Sequence, residues 1–573
     1  MISFAALFTT TAILIAPVQD ADMVLVNGHV VTVDSAKPEA QAVAVKGERI
    51  QAVGSNEAIR KLVGDKTRVI DLNGQLVTPG FIEGHAHFVG VGQSKMILDL
   101  TKARTWNDIV QQVATAAEEA APGDWIIGRG WHQAKWETPP VPNVHDYPVH
   151  TSLSEVTPEN PVLLTHASGH MCFANARAME IGNVTSETKD PAGGEILHAE
   201  DGSPTGVFRE TAQALVRSRQ TTSPARAERD LQTAIQLATD ACLENGITSF
   251  QDAGSTFETI DTFKALANAN ELRVRLYVMI RDSNQRLASL LPQYKIIDAG
   301  NKHLTVRAIK RAIDGALGPH GAWLLEPYED MPNSQGLNTA TVPSVRRSAD
   351  LANQNGFQVC VHAIGDRANR ETLDIFESFL TKNPNGKNLR WRVEHAQHLH
   401  PDDIPRFSKL GVIASMQAVH CTSDAIFVPD RLGDVRSEAG AYVWRSLLDS
   451  GAVVTNGTDA PVEDINPMDS FYASVTRRLS NGTKFFPEQC MTRAEALKSY
   501  TLSCAYAAFE EGDKGSLEPG KLADIVVWST DFMKCDEENI REARPIHTIV
   551  GGRVLYSAKP ETETVDDEKN ENK

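Results

Sequence analysis

The middle of the chain alternates short apolar runs with longer stretches of helical periodicity, which predicts repeated strand–helix units and a parallel sheet. Eight of the runs have the length of a buried strand, and we predict strands at residues 78–88, 246–252, 272–280, 304–310, 356–362, 389–395, 411–416 and 451–457. Eight such units can close on themselves. The pattern therefore predicts an α/β fold, a distorted (β/α)8 TIM barrel over residues 78–505.

One gap in this rhythm is too long for a single helix, since the first two predicted strands are separated by the whole of residues 95–225. We predict an inserted subdomain there. It contains turn-rich pieces such as residues 128–133 and 191–194. An insertion at the carboxyl ends of barrel strands would overhang the mouth of the barrel.

Both ends of the chain show a different pattern, with short alternating strands separated by turn signals such as Asn27-Gly28 and Asn73-Gly74. This pattern predicts a small β-sandwich domain assembled from residues 22–77 and 506–560. The last segment, residues 561–573, is acidic and polar without apolar periodicity, and we predict a disordered tail.

Residues 1–21 include an apolar stretch that has the length of a signal-peptide core and is too short to span a bilayer. We therefore predict a signal peptide, a periplasmic or secreted protein and no stable membrane span. The segment lacks Lys and Arg at its start, so a cytoplasmic protein is the open alternative. The seven cysteines are sparse and scattered, which favours buried thiols over a disulfide framework.

Composition narrows the function without naming it. Of 573 residues, 41% are hydrophobic and 23% are charged, as in globular proteins. The net charge of −18 argues against nucleic acid as a partner and against anionic membrane surfaces. We expect a small-molecule substrate as the partner, with a homodimer as an open alternative.

Polar residues with metal-binding chemistry follow the ends of the predicted strands. His85 and His87 end the first strand and, two residues apart, point to the same side of it. Four more sites lie at or after later strands, namely Lys310, His362, His395 and Asp459. Since strand ends converge at the mouth of a barrel, we expect these side chains to meet there.

Imidazole and carboxylate groups suit zinc or a similar divalent metal, and we expect one or two ions. Such a metal lowers the pKa of a bound water, and Asp459 beside it could accept the water's proton. Lys310 cannot bind a metal as an ammonium ion, but carbamylation would make it an anionic oxygen ligand. The alternative for Lys310 is an ion pair with a carboxylate such as Asp314.

The chain resembles the amidohydrolase superfamily, and specifically its YtcJ-like branch, which includes N-substituted formamide deformylases. The motifs that carry the resemblance run nearly end to end, at residues 78–87, 246–249, 310–318, 362–366, 394–397, 457–459 and 515–524. The resemblance implies a metal-dependent hydrolase with a β-sandwich domain beside a distorted barrel. It also implies that His85, His87, His362 and His395 are metal ligands, Lys310 a carboxylated bridging ligand, and Asp459 both ligand and catalytic base.

From these residues and the resemblance we predict hydrolysis of a non-peptide C–N bond in an amide, N-substituted formamide or cyclic amide. An esterase, lactonase or deaminase on the same metal centre is the enzymatic alternative, because one barrel supports many chemistries. A catalytically inactive binding or regulatory relative is the other. The filled metal-ligand positions argue against it.

Substrate-binding residues are predicted in the insertion and beyond the seventh strand. Trp131 and Gln133 belong to the turn-rich loop, where His132 replaces an acid found in relatives; local packing of that loop is the alternative role for both. His170 stands in a short polar stretch resembling a site loop, and His420 follows the seventh predicted strand. His398 is expected to face solvent.

Overall fold

The computed structural model describes residues 19–220 and 223–559. The acidic tail at 561–573 and almost all of the predicted signal peptide lie outside the described residues, so both stay predictions. Within the described ranges, no helix combines the length and apolarity needed to cross a bilayer. All seven cysteines are free thiols, and five of them are buried.

The first described segment forms short strands and one helix. Its elements are β1 (Met23–Val26), β2 (His29–Val31), β3 (Glu39–Ala40), β4 (Ala42–Lys46), β5 (Arg49–Gly54), α1 (Asn56–Arg60), β6 (Arg68–Asp71) and β7 (Leu76–Pro79). Helix α1 begins after Ser55, whose hydroxyl accepts a hydrogen bond from the Ala58 amide. Asn27-Gly28 and Asn73-Gly74 each connect strands of different sheets, so the hairpins predicted at these turns are wrong. A hairpin does form at Lys46-Gly47, between the antiparallel strands β4 and β5.

The barrel starts at β8 (Phe81–Ala86), which is followed by α2 (Phe88–Ser94). The predicted strand at residues 78–88 is therefore wrong in its extent. Thr78 belongs to β7, which pairs with strands of the chain ends, while β8 pairs with the barrel. The two strands part at Gly80, where a Cβ would lie 2.1 Å from the Thr248 hydroxyl oxygen.

The insertion forms a six-stranded sheet of its own, in the order β15-β16-β14-β13-β10-β9. Its elements are β9 (Leu98–Asp99), α3 (Trp106–Glu119), β10 (Ile126–Trp131), β11 (Asn143–Val144), β12 (Tyr147–Pro148), α4 (Thr151–Val156), β13 (Val162–His166), β14 (Met171–Ala174), α5 (Ala176–Ile181), β15 (Gly194–His198), β16 (Pro204–Glu210) and α6 (Ala214–Arg217). A cluster of buried apolar residues that includes Trp106, Trp131 and Phe173 packs this sheet against α3. The inserted subdomain predicted from the long gap is thus present.

The remaining barrel elements alternate strand and helix over most of their length. They are α7 (Pro224–Glu244), β17 (Ile247–Ser255), α8 (Phe257–Asn268), β18 (Arg275–Ile280), α9 (Asn284–Leu290), β19 (Ile296–Asp298), α10 (Ala299–Lys302), β20 (Leu304–Ala312), α11 (Val342–Asn355), β21 (Gln358–Ala363), α12 (Asp366–Leu380), β22 (Arg392–His395), α13 (Ile404–Leu410), β23 (Ile413–Met416), α14 (Ala418–Asp424), α15 (Val428–Gly440), α16 (Trp444–Asp449) and β24 (Val454–Asn456). Each predicted barrel strand has its counterpart here.

Eight parallel strands neighbour one another in the order β24-β23-β22-β21-β20-β18-β17-β8. The ring closes between its last and first strands, because the Asp459 amide donates to the His85 carbonyl oxygen at 2.8 Å and the His87 amide donates to the Ala460 carbonyl oxygen at 2.8 Å. The predicted (β/α)8 barrel is confirmed, and its closing seam carries three of the candidate metal-site residues.

The chain ends with α17 (Pro467–Thr476), α18 (Arg493–Ser499), α19 (Leu502–Ala507), β25 (Ile525–Trp528), β26 (Pro545–Val550) and β27 (Arg553–Ser557). These last strands join the first ones in a sheet of order β27-β26-β25-β7-β2-β3, beside a second sheet of order β5-β4-β1-β6. Buried residues of both sheets, such as Leu25, Val43 and Ile525, share one apolar cluster. That the two sheets form a separate sandwich domain stays a prediction.

Candidate metal centre and cavity

Three predicted ligands meet at the mouth of the barrel. His85 at the end of β8, His395 at the end of β22 and Asp459 just after β24 each offer a ligand atom, and all three atoms lie within 4.8 Å of one another. All three residues are buried. The strand-end positions that the sequence predicted therefore converge, as the geometry of a parallel barrel requires.

The His85 ring is oriented by a buried ion pair. Its Nδ1 forms a short hydrogen bond with the Glu394 carboxylate, which itself pairs with the Arg392 guanidinium. Nε2 is left facing the site, 3.6 Å from Asp459 Oδ1. Burial lowers the pKa of His85 to about 4, so the imidazole is neutral at ambient pH and its Nε2 lone pair is available to a metal.

The His395 ring reaches the same site through an unusual backbone conformation. Successive side chains of a strand normally alternate in direction, but both Glu394 and His395 face the barrel interior, because His395 has a φ of 75° that breaks the alternation. Its Nδ1 lies 2.7 Å from Gln417 Oε1. The Gln417 amide nitrogen donates to the Ser415 carbonyl oxygen at 3.0 Å, so Oε1 is the acceptor, Nδ1 carries the ring proton and the free lone pair is on Nε2. The contact of His395 with Asp459 is made by Nδ1, which lies 4.0 Å from Oδ2.

Asp459 follows β24 with a φ of 57°, which turns its carboxylate back over the barrel mouth. Its Oδ1 lies 3.3 Å from Nε2 of His87. Although burial opposes ionisation, the hydrogen bond from His87 and the nearby imidazoles His85 and His395 hold the pKa of Asp459 well below its usual range. The group is therefore an ionised carboxylate, able to bind a metal or accept a proton.

Lys310, at the inward face of β20, is buried without a counter-ion. Among the described residues no carboxylate comes within ion-pair distance of Nζ, and His85 Nε2 at 3.3 Å is its hydrogen-bonding neighbour. Burial lowers the pKa of Lys310 to about 8. The alternative of an ion pair with Asp314 is wrong, since that carboxylate accepts hydrogen bonds from the amides of Trp323 and Gly365 instead.

His362 lies beside the cluster of His85, His395 and Asp459 and has an unpaired nitrogen. Its ring centroid lies 4.4 Å from that of His395. Within the described residues, buried Nε2 has no hydrogen-bond partner and lies 3.5 Å from Asp314 Oδ1. Burial holds the pKa of His362 well below its usual range, so this imidazole is neutral. An unpaired buried nitrogen beside neutral imidazoles and an ionised carboxylate is a donor set that fits a divalent metal.

A cavity of about 50 Å³ opens above this centre. Its floor includes His362, His395 and Asp459, and the insertion covers one side. His170 and His420, both predicted to bind substrate, line it. The rest of the wall combines apolar and charged side chains, among them Lys135, Leu317, Ile364, Asp424, Phe427, Val462 and Glu463.

His170 is held over the cavity by a carboxylate of the insertion. Its Nδ1 lies 2.8 Å from Glu210 Oε2, and the Glu210 amide donates to the His170 carbonyl oxygen at 2.8 Å. Glu210 adopts a φ of 48°, an uncommon conformation for a residue with a side chain. The His170 ring centroid lies 5.0 Å from that of His362, so the insertion places this imidazole directly beside the metal centre.

Trp131 and Gln133 serve in the local packing of their loop, which is the alternative to substrate binding. Trp131 is fully buried in the core of the insertion and donates from Nε1 to the Leu164 carbonyl oxygen at 3.0 Å. The Gln133 amide bonds to His166 and Tyr147. Neither side chain lines the cavity. Both belong to the packing of the insertion.

The residue between them, His132, does line the cavity, and sequence reasoning noted it only as a departure from relatives. Its ring stacks on Phe427 with centroids 5.6 Å apart. Burial lowers the pKa of His132 to about 3. The expectation that His398 faces solvent is wrong, because that side chain is 2% exposed and packs on Tyr442. The direction of a side chain was predictable only within a predicted strand, where side chains alternate. Neither His132 nor His398 stands in one, so the sequence could not place them.

The comparisons with known proteins agree with the geometry. The Amidohydrolase family model matches residues 68–556. The chain is 33% identical to Protein LONG AFTER FAR-RED 3 of Arabidopsis thaliana, over 94% of this chain and 92% of that protein. It is 29% identical to putative amidohydrolase YtcJ of Bacillus subtilis, over 92% of this chain and 98% of that protein. It is 27% identical to N-substituted formamide deformylase of Arthrobacter pascens, over 94% of this chain and 99% of that protein.

The fold also matches a solved structure. An uncharacterized metal-dependent hydrolase from Pyrococcus horikoshii superposes with a TM-score of 0.72 at 24% identity, covering 90% of this chain and 99% of that one. The resemblance predicted from the motifs is confirmed across most of the length. The chain belongs to the amidohydrolase family.

Proposed function

We propose that this hydrolase cleaves a non-peptide C–N bond, in an N-substituted formamide, another amide or a cyclic amide. The observation that carries the proposal is the convergence of His85, His395 and Asp459, of which His395 and Asp459 line the floor of a covered cavity. The relative named N-substituted formamide deformylase supports the choice of bond. The cavity above these residues, of about 50 Å³, is too small to admit a folded chain.

Six side chains would hold one or two divalent ions, with zinc as the expected metal. They are His85, His87, Lys310, His362, His395 and Asp459. Bound there, the metal would supply Lewis acidity towards a water molecule and a carbonyl group. The neutral imidazoles of His85, His362 and His395 and the ionised Asp459 already have the protonation states that metal binding requires.

Lys310 would serve in this set as a carboxylated side chain. Its amine is buried, has no counter-ion among the described residues and has its pKa lowered to about 8, so the unprotonated form needed to react with carbon dioxide is accessible. The product would be an anion beside His85. This removes the difficulty of a buried, unpaired ammonium ion.

The remaining chemistry falls to groups of the chain. Asp459 is ionised, so its carboxylate can accept a proton from the attacking water and transfer it to the departing nitrogen. The covering insertion limits the access of bulk water, which strengthens electrostatic interactions inside the cavity. Phe427, Leu317 and Val462 offer an apolar wall for the substituents of the substrate.

Metal content tests the centre. Protein purified without chelators should carry about two divalent ions per chain by mass spectrometry, and Lys310→Ala should carry fewer. Lys514→Ala is the matched control, because Lys514 is also buried but pairs with Glu510 away from the cavity. One ion in both wild type and Lys310→Ala would make the centre mononuclear. No metal, even after zinc and bicarbonate are added, would refute the centre.

A substrate panel tests the bond. It should contain N-substituted formamides, secondary amides and cyclic amides beside esters, lactones and aminopurines. Turnover of the amides at rates well above the others is expected, and Asp459→Asn should lose most of it. Preference for esters or aminopurines would replace the proposal with an esterase or deaminase. A metal-loaded protein that turns over nothing would favour a binding or regulatory role.

A further inference from the structure

His420 lies in the wall of the cavity, on a helix of the barrel. It lies in α14, is 5% exposed and stacks nearly parallel to His395, with ring centroids 6.4 Å apart and an interplanar angle of 15°. It is not one of the clustered ligand residues. The ring is thus placed beside the reacting centre without belonging to it.

The tautomer of His420 is set by a neighbouring amide. Gln397 Nε2 lies 2.9 Å from His420 Nδ1, and an amide nitrogen can only donate. Nδ1 is therefore the acceptor, and the ring proton is on Nε2. Gln397 is itself 4% exposed and lines the same cavity, so its side chain has little freedom to turn away.

The Nε2–H group has no acceptor within the described part of the chain, although its nitrogen is buried. Two acidic residues of the wall, Asp424 and Glu463, accept hydrogen bonds from other side chains. Asp424 accepts a hydrogen bond from the Tyr442 hydroxyl at 2.6 Å, and Glu463 accepts one from the Ser423 hydroxyl at 2.5 Å. A buried donor without a protein partner, on a residue of the cavity wall, indicates an acceptor that arrives with the ligand.

We propose that His420 is a catalytic residue that donates a hydrogen bond from Nε2 to the carbonyl oxygen of the substrate, and that Gln397 is the residue that positions it. The inference rests on the proposed hydrolysis of an amide. The proton stays on Nε2 throughout, and no covalent bond changes at His420. The donor strengthens its bond as the carbonyl oxygen gains negative charge during attack, which lowers the barrier.

This role narrows the substrate class. A fixed N–H donor beside the centre favours a substrate whose reacting carbon bears an oxygen acceptor, such as a formamide or lactam. An aminopurine has no oxygen on its reacting carbon and offers the donor only a ring nitrogen. The corresponding thioamide, whose sulfur is a weaker acceptor, should be a poorer substrate than the amide.

Steady-state kinetics on the best amide of the panel test the donor. His420→Leu should lower kcat by about 100- to 1,000-fold with little change in KM, the size seen when one oxyanion donor is removed. His420→Gln, whose amide can still donate, should recover at least part of that loss. Gln397→Met should lower kcat less than His420→Leu does. All three should keep the wild-type metal content, and His400→Gln, at an exposed position, is the control for both measurements.

A second measurement does not depend on turnover. In protein labelled with ¹⁵N-histidine, the signals absent from His420→Gln identify His420, and their two-bond couplings report which nitrogen carries the proton. An Nε2–H tautomer in wild type that becomes mixed in Gln397→Met supports the proposal, even if no panel compound is hydrolysed. An Nδ1–H tautomer overturns it, as does an unchanged kcat in His420→Leu on an amide that the wild type hydrolyses.

Discussion

At the scale of single residues, the metal centre depends on a buried charge pair that touches no substrate. Arg392 and Glu394 are both fully buried on β22. Arg392 also donates to the Gly84 carbonyl oxygen at 2.8 Å and to the Ser415 hydroxyl at 2.7 Å. It therefore links β8, β22 and β23 beneath the site, while Glu394 holds the His85 ring.

Glu394→Ala should lower both the free energy of unfolding and the affinity for metal. It leaves the Arg392 charge buried and unpaired, which we expect to lower the free energy of unfolding by about 3–5 kcal/mol. It also frees His85 Nδ1, so metal affinity should fall by about 10- to 100-fold. Urea unfolding and metal titration measure the two effects.

Glu511→Ala is the matched control, because Glu511 pairs with Arg390 at a partly exposed position. Glu511→Ala should lower the free energy of unfolding by about 1 kcal/mol or less and should leave the metal affinity unchanged. Equal losses in Glu394→Ala and Glu511→Ala would contradict the special role of the buried pair.

The sequence predicts the ligands better than their orientation. His85, His362 and His395 end apolar runs, and the parallel barrel brings such ends together. The left-handed φ of His395 leaves no mark in a local pattern, because it is maintained by contacts with distant parts of the chain, such as Gln417 on the next strand's end. For the same reason the pairing of Glu394 with His85, 309 residues away, could not be derived from the sequence.

At the scale of elements, the insertion and the loop after β20 fit together at glycines. Glu210 Oε1 lies 1.9 Å from the position that a Cβ would take at Gly315, and 2.4 Å from that at Gly321. The carboxylate that holds His170 is therefore packed directly on the barrel loop. Side chains at these two positions would displace it.

Gly315→Ala should push Glu210 aside and release His170 from its place over the centre. We expect a cost of about 1–3 kcal/mol in unfolding free energy, as for other overpacked sites, and a clear loss of amide turnover. Gly512→Ala is the control, since a Cβ there meets no atom within 4 Å, and it should stay within about 0.5 kcal/mol of wild type. Wild-type turnover in Gly315→Ala would show that the contact does not position His170.

Element prediction succeeded where periodicity is strong and failed where packing decides. The barrel strands are apolar and separated by helices, so their existence follows from the pattern. The break at Gly80 does not, because β7 and β8 form one continuous apolar run that is divided between two sheets. The loop around Trp131 predicts a residue that binds substrate. Its side chain is instead buried by contacts with Trp136 and Phe173 in the insertion.

At the scale of the whole molecule, the sheets of the chain ends are joined to the barrel by buried polar contacts. Arg275 on β18 is 1% exposed and pairs with Asp524, with Nε 2.8 Å from Oδ2. Thr548 of β26 donates from its buried hydroxyl to the Leu243 carbonyl oxygen of α7 at 2.7 Å. Because such contacts cross between the two parts, we expect barrel and terminal sheets to unfold in one transition.

The pH dependence of Asp524→Asn tests this coupling. Although burial opposes ionisation, the Arg275 guanidinium holds the pKa of Asp524 below its usual range. A lowered folded-state pKa gives stability that is complete above the unfolded pKa of about 3.9 and is lost as the pH falls through the folded value. Asp524→Asn lacks this contribution and leaves Arg275 unpaired, so it should be less stable by about 3–5 kcal/mol near neutral pH.

The difference in unfolding free energy between wild type and Asp524→Asn should therefore become smaller as the pH falls below about 4. Urea unfolding at a series of pH values, followed by fluorescence and circular dichroism, measures it. Glu57→Gln, which removes an exposed pair with Lys61, should follow the wild-type curve throughout. A difference independent of pH would show that the Asp524 charge does not stabilise the junction. Separate transitions by the two probes would show that the terminal sheets unfold as a domain of their own, because coupling through the buried pair would be too weak to make the molecule cooperative.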